Sequence, residues 1–274
     1  MLIVGERINT SRKVKGEPVI ENAVKNRDAD FIKDIAIKQF KAGSTYIDIN
    51  AGTLTSGEPE ALEWLTKVVM EAVDAPISFD TPNPDALELA LNAYDPSKGQ
   101  PLINSITAEK ERYEKILPFV LKHKAKVIAL AMDDGGIKPE PAKRLAVARK
   151  LVQDLTAAGV PIEDIYVDPL TFPIGTGSDV AVTMLDIIEK LHTEFPGVHI
   201  IAGLSNISHG MPVRKLLNQA MTILCMGKGL DAGIVDPNDR YLMALIAATE
   251  SLLGLDDFSM QYITLAREGA FEDL

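Results

Sequence analysis

Residues 76–84 read PISFDTPNP, a short apolar run that ends on Asp80 and then turns into Asn83-Pro84. Ile77 and Phe79 suit a buried strand, and an asparagine directly before a proline marks the start of a helix. This one stretch therefore holds a strand, a polar strand end and a helix entrance.

The same pattern recurs outward in both directions. Asn104 sits in PLINS (101–105), Asp168 closes DIYVD (164–168), and Asn206 follows HIIAGLS (199–205). Eight such runs are expected as strands: 2–8, 45–50, 76–80, 101–105, 126–132, 164–168, 198–204 and 232–235. Amphipathic stretches between and after them predict helices over 30–42, 58–73, 84–94, 108–123, 141–158, 180–195, 212–228 and 240–253. Strands rich in Val, Ile and Leu that alternate with helices imply a parallel sheet buried on both faces, and such folds keep their chemistry at the strand C-termini. Eight units predict an α/β fold, a (β/α)8 TIM barrel, and 274 residues is the size of one such domain spanning 1–274. The segments 9–29 and 172–178 are expected as loops on the catalytic face, and 256–274 as an extra helix rather than a ninth unit.

Composition agrees with a packed globular chain, at 46% hydrophobic and 24% charged residues with mean hydropathy near zero. The net charge of −11 repels phosphate backbones and anionic membranes, so neither nucleic acid nor a membrane is an expected partner. No apolar run is long enough to span a bilayer, and the N-terminus MLIVGERIN lacks the pattern of a secretory signal. Cys225 is the only cysteine, which excludes an internal disulfide and fits a cytoplasmic location; its setting in MTILCMG predicts a buried, inert thiol. The four histidines lack the paired spacing of a zinc site, so no protein-bound metal is expected. Asp133-Asp134-Gly135-Gly136 reads as a solvated turn before a cation site.

The strand-end residues carry the functional signal. Asp80 has a competing role as a helix cap, whereas Asp168 precedes Pro169 and a Gly-containing loop rather than an immediate helix. Two inward carboxylates and the amide of Asn104 offer acceptors and donors for a flat heterocycle with an edge of N–H and C=O groups, as in a pterin. Glu6, Arg7 and Asn9 at the first strand end are expected to pair within the barrel, with support of the ligand site as a second role.

GERIN (5–9), YIDINAG (46–52), FDTPN (79–83), INSITAE (103–109), YVDPL (166–170) and GLSNIS (203–208), followed by Arg214 and Asn218, together resemble one family. It is the pterin-binding methyltransferases that move a methyl group between methyltetrahydrofolate and the cobalt of a corrinoid. The resemblance implies that Asp80, Asn104 and Asp168 hydrogen-bond the pterin of tetrahydrofolate or 5-methyltetrahydrofolate. It implies that Asn206 approaches the methyl-bearing nitrogen, with Gly203 and Ser205 lining the pocket, Arg214 near the benzoyl-glutamate side and Met132 at the end of strand five. It also implies a homodimer.

One departure stands out: where acetogenic relatives that serve an iron–sulfur corrinoid protein have a glutamine, three residues after the GLSN asparagine, this chain has His209. Histidine changes charge near physiological pH, so the exchange bears on proton handling and points to relatives in betaine or aryl-ether demethylation. The Asp-x-His-x-x-Gly string of corrinoid-binding modules is absent, so the corrinoid is expected on a separate partner protein. A dihydropteroate-synthase-like condensing enzyme is the alternative, but it should carry a lysine after strand seven and basic residues after strand eight. The chain has GLSNIS and IVDPNDR there. A non-catalytic folate-binding module is the third reading.

Overall fold

A computed structural model describes residues 1–136, 140–272 and 274. Eight parallel strands close into a barrel in sequence order, with β8 pairing back onto β1. They are β1 (Leu2–Asn9), β2 (Tyr46–Asn50), β3 (Ile77–Asp80), β4 (Leu102–Ala108), β5 (Lys126–Asp133), β6 (Ile165–Asp168), β7 (His199–Gly203) and β8 (Ala232–Val235). The helices are α1 (Val19–Lys25), α2 (Ala29–Lys41), α3 (Glu58–Ala72), α4 (Pro84–Ala93), α5 (Lys110–His123), α6 (Pro141–Ala157), α7 (Val180–Glu194), α8 (Arg214–Met226), α9 (Arg240–Leu252) and α10 (Met260–Arg267).

The expected strands are all present, shifted by at most a few residues. Two expectations change. The segment after β1 is not wholly loop, because Ile20, Ala23 and Val24 bury one face of the short helix α1. Ala108, expected to begin a helix, instead ends β4, and α5 starts at Lys110. The 256–274 tail supplies α10, as expected.

Alternation along the strands sorts the side chains. Ile47, Ile49, Ile77, Phe79, Ile103 and Val127 face outward into the main core beneath the helices. A second, smaller cluster of Val4, Tyr46, Leu102, Ile128, Tyr166, Ile201 and Ala232 plugs the barrel interior. Two residues further along their strands, Val4, Tyr46, Leu102 and Tyr166 are followed on the inward face by Glu6, Asp48, Asn104 and Asp168. The lower barrel is thus an apolar plug, and the upper barrel is polar. At the opposite end Lys126 Nζ donates to Tyr166 Oη at 3.0 Å, and the His199 ring stacks on Tyr166 with centroids 4.6 Å apart.

Phe79 shows how the strand that carries Asp80 is held. It is fully buried on the outer face of β3 and meets Tyr94 edge-on at 5.7 Å. Truncating it removes the ring contact with Tyr94 and leaves a void that a closed barrel cannot collapse around. Phe79→Ala should cost about 3–5 kcal/mol of stability, read as a lowered midpoint in chemical denaturation.

Candidate functional site

The C-terminal ends of β2, β3, β4 and β6 gather the buried polar groups. Asp48 is almost fully enclosed; Ser78 Oγ donates to its Oδ1 at 2.6 Å, and Asn104 Nδ2 lies 3.5 Å from the same oxygen. Asn50 Nδ2 donates to Asp80 Oδ2 at 2.9 Å and to the Asp80 carbonyl at 3.0 Å. Asp168 accepts from the backbone N–H of Leu170 at 2.8 Å and takes a second backbone hydrogen bond from Gly203. Asp80 and Asn104 are register partners on adjacent strands.

Burial governs the electrostatics of these carboxyls. It pushes Asp168 up to about 6 despite the two backbone hydrogen bonds that favour its charged form. Asp80 is likewise raised to about 6 by burial and by Glu58, opposed by the Asn50 amide and the Arg112 guanidinium. Asp48 is raised by burial and by the neighbouring Asp80. Glu6 is also raised by burial, although Arg12 and the hydroxyl of Ser205, 3.2 Å from Oε2, pull the other way.

Asp80 is not the helix cap. Asn83 fills that role with its side chain accepting from Asp85 N and Ala86 N, while Glu58 braces the same loop by accepting from Thr81 Oγ1 and Asn83 Nδ2. Asp80 is thereby left to face the barrel axis.

The β7 end completes the rim. Asn206 sits exposed on a 3-10 turn over Leu204–Ser208, and its amide packs against Gly203 so closely that a Cβ there would lie 3.0 Å from Asn206 Nδ2. Ser205 reaches Glu6, and its carbonyl accepts from Arg214 Nη2 at 2.7 Å; Arg214 Nε also donates to Ser208 Oγ at 3.0 Å. Arg214 therefore ties the β7 turn to the start of α8. His209 is exposed, and its backbone N–H donates to the Asn206 carbonyl at 3.1 Å. Met132 is partly buried near the end of β5, on the same face as Ile128. Beside this rim lies a cavity of about 270 Å³ lined by Glu6, Arg12, Ser205, Arg214, Asn218 and Asp236 among others.

Asp133 Oδ1 caps its own turn at Gly135 N, and Asp134 Oδ1 accepts from the Lys110 N–H that opens α5. Among the described residues no group of three or more His, Cys, Asp or Glu side chains is placed to hold a metal ion. No described helix is long and apolar enough to cross a membrane.

Asp48 and Asn50 were not singled out from the sequence. The signal was present, because YIDIN places them at alternate positions of one strand, as in the runs that hold Asp80 and Asn104. Arg112 was missed because it lies on a helix rather than at a strand end.

The fold is a closed (β/α)8 barrel that gathers buried carboxyls and amides at its strand C-termini. The chain belongs to the family of pterin binding enzymes, whose model matches residues 6–236. It is 33% identical over 271 residues to the methylcorrinoid:tetrahydrofolate methyltransferase of Eubacterium limosum, covering 98% of this chain and 97% of that one. It is 30% identical over 247 residues to the methionine synthase of Mycobacterium leprae, covering 86% of this chain but only 20% of that larger protein. Dihydropteroate synthase from Thermus thermophilus has the same fold, with a TM-score of 0.67 at 18% identity over 92% of this chain and 94% of that one.

The raised Asp168 has a consequence for stability. An unfolded aspartate ionises near 4, so between about pH 4 and 6 the folded chain holds a proton that the unfolded chain gives up, and stability falls as pH rises through that window. Above it the buried charge costs about 3 kcal/mol at most. Asp168→Asn keeps the shape and an acceptor without the charge. Denaturation should show the variant more stable than the parent by about 1–3 kcal/mol at pH 7.5, an advantage that vanishes near pH 4.

Proposed function

We propose that this chain is a methyltransferase that moves a methyl group between a corrinoid carried by a separate protein and the methyl-bearing ring nitrogen of tetrahydrofolate. The observation that carries the reading is the gathering of Asp80, Asn104 and Asp168 at the C-terminal ends of β3, β4 and β6, in a barrel similar over 98% of its length to a methylcorrinoid:tetrahydrofolate methyltransferase. The two carboxylates are acceptors for the ring N–H groups of a pterin, and Asn104 can both donate and accept. Asp48 orients Asn104, and Asn50 orients Asp80.

Asn206 is the residue proposed to act on transfer. It is neutral, exposed at the mouth of the basin and braced against Gly203, where a donor can meet charge that develops on the folate nitrogen. Gly203 and Ser205 line this side, Arg214 lies toward the benzoyl-glutamate end, Met132 contributes an apolar wall, and His209 stands exposed on the rim three residues after Asn206. The corrinoid supplies or accepts the methyl group as cargo of its own protein, so the mouth of the basin is where that partner docks.

A homodimer is part of the same proposal. It is supported by the exposed Leu216 and Leu224 of α8 and Tyr241 and Leu245 of α9, two helices that pack side by side. Sedimentation analysis checks it. A cytoplasmic location is supported by the single buried cysteine, whose thiol burial pushes up to about 12.

Two measurements test the core of the reading. Pterin binding needs ionised Asp80 and Asp168, so calorimetry should show tetrahydrofolate affinity level above about pH 7 and falling, with proton release, as pH drops through 6. Asp168→Asn should bind more weakly by about 1–3 kcal/mol at neutral pH with a shallower acid limb. No binding by the parent chain would remove the proposal.

Asn206→Ala should lower the single-turnover rate of methyl transfer at saturating folate much more than it lowers affinity, since the hydrogen bond strengthens in the transition state. The alternative of a dihydropteroate-synthase-like reaction predicts condensation of a pterin pyrophosphate with 4-aminobenzoate and no turnover with methylated corrinoid.

A further inference from the structure

Strand β4 loses register with β5 between Asn104 and Ile106. Ser105, in the gap, is only 5% exposed, so its carbonyl needs a partner from within the protein. Arg112 in the first turn of α5 provides one, with Nε 3.3 Å and Nη2 3.0 Å from that oxygen, and Nη2 also 3.3 Å from Ser105 Oγ.

Helix stability does not account for an arginine there. A cation at a helix N-terminus opposes the macrodipole, and partial burial strips its water. Burial lowers the Arg112 pKa, while Glu109 and Asp80 favour its charge.

The groups it serves lie at the strand ends. Asn104 directly precedes Ser105, its carbonyl accepts from Thr81 N at 3.0 Å, and its register partner is Asp80. Asp80 is faced by Asp48 on β2 and Glu58 on α3, both anionic when ionised, by the Asn50 amide, and by the Arg112 cation on α5.

We propose that Arg112 is a positioning residue of the folate site: it anchors the broken end of β4 through Ser105, so that Asn104 and Asp80 are presented together. The Arg112 cation also favours the charged, accepting form of Asp80. This inference rests on the pterin-binding reading of the strand ends.

The test is calorimetric titration of the full chain with tetrahydrofolate from about pH 5.5 to 8.5, for the parent, Arg112→Gln, Arg112→Lys and Asp168→Asn, with thermal melts to confirm folding. Arg112→Gln should bind about tenfold more weakly at neutral pH, with its acid limb about one pH unit higher. Arg112→Lys keeps the charge without the planar fork, so the limb should return to the parental position while affinity stays several-fold down. A glutamine variant that matches the parent in affinity and pH profile overturns the proposal. So does a loss that is equal at every pH and is not eased by lysine, because that is a purely structural effect.

Should the glutamine variant fail to fold, the lysine variant decides: reduced affinity at a parental melting temperature supports the proposal, and unchanged affinity, or a loss that tracks a lowered melting temperature, overturns it. If Asp168→Asn weakens binding while both Arg112 variants bind normally, Arg112 alone loses its role. If the parent does not bind tetrahydrofolate, the pterin-binding reading and the Arg112 proposal fall together.

Discussion

Closing eight parallel strands on themselves sends every second side chain toward one axis, and no water-exposed face is left for the polar ones. The lower positions solve this with Val4, Tyr46, Leu102, Ile128, Tyr166 and Ile201. The upper positions do not, since Asp48, Asp80, Asn104 and Asp168 occupy them instead. Burial then becomes the dominant force on their chemistry, and it pushes the carboxyls of all three aspartates upward. A chain selected only for stability would fill that layer with aliphatic side chains.

Each of these groups is held by a specific partner. Ser78 and Asn104 meet Asp48, Asn50 meets Asp80, and the backbone of Leu170 and Gly203 meets Asp168. These bonds fix orientation without fully offsetting the loss of water, so a ligand edge carrying N–H donors gains by completing them. With methyl transfer as the proposed reaction, few ionisable groups are needed near the reacting nitrogen, because the corrinoid carries the hard chemistry. The neutral Asn206, placed by the close approach of its amide to Gly203, is suited to that division of labour.

Much of this was legible in the chain. The eight strands are local apolar runs, and a period of two residues makes the inward set calculable from any one strand. PISFD therefore announces Asp80, and DIYVD announces Asp168, before any fold is known. The boundary at Ala108 was misplaced because alanine suits a helix start as well as a strand end, and only pairing with Asp133 of β5 decides between them. The segment after β1 hid α1 because seven residues carry too little periodicity to stand out from a loop.

The barrel, its strand order and the polar character of the strand ends were all readable from the chain, because they follow from patterns within ten or so residues and from the rule that parallel strands connect through helices. Which polar groups meet was settled only by the folded arrangement. Asn50 finds Asp80 from another strand, and Glu58 braces the β3 loop from α3. Ser205 reaches Glu6 across 199 residues, and Arg112 turns back from a helix to a carbonyl seven residues earlier. Strand alternation says which face a side chain takes. Its partner there depends on the stagger with which the barrel closes, and that stagger is a property of all eight strands together.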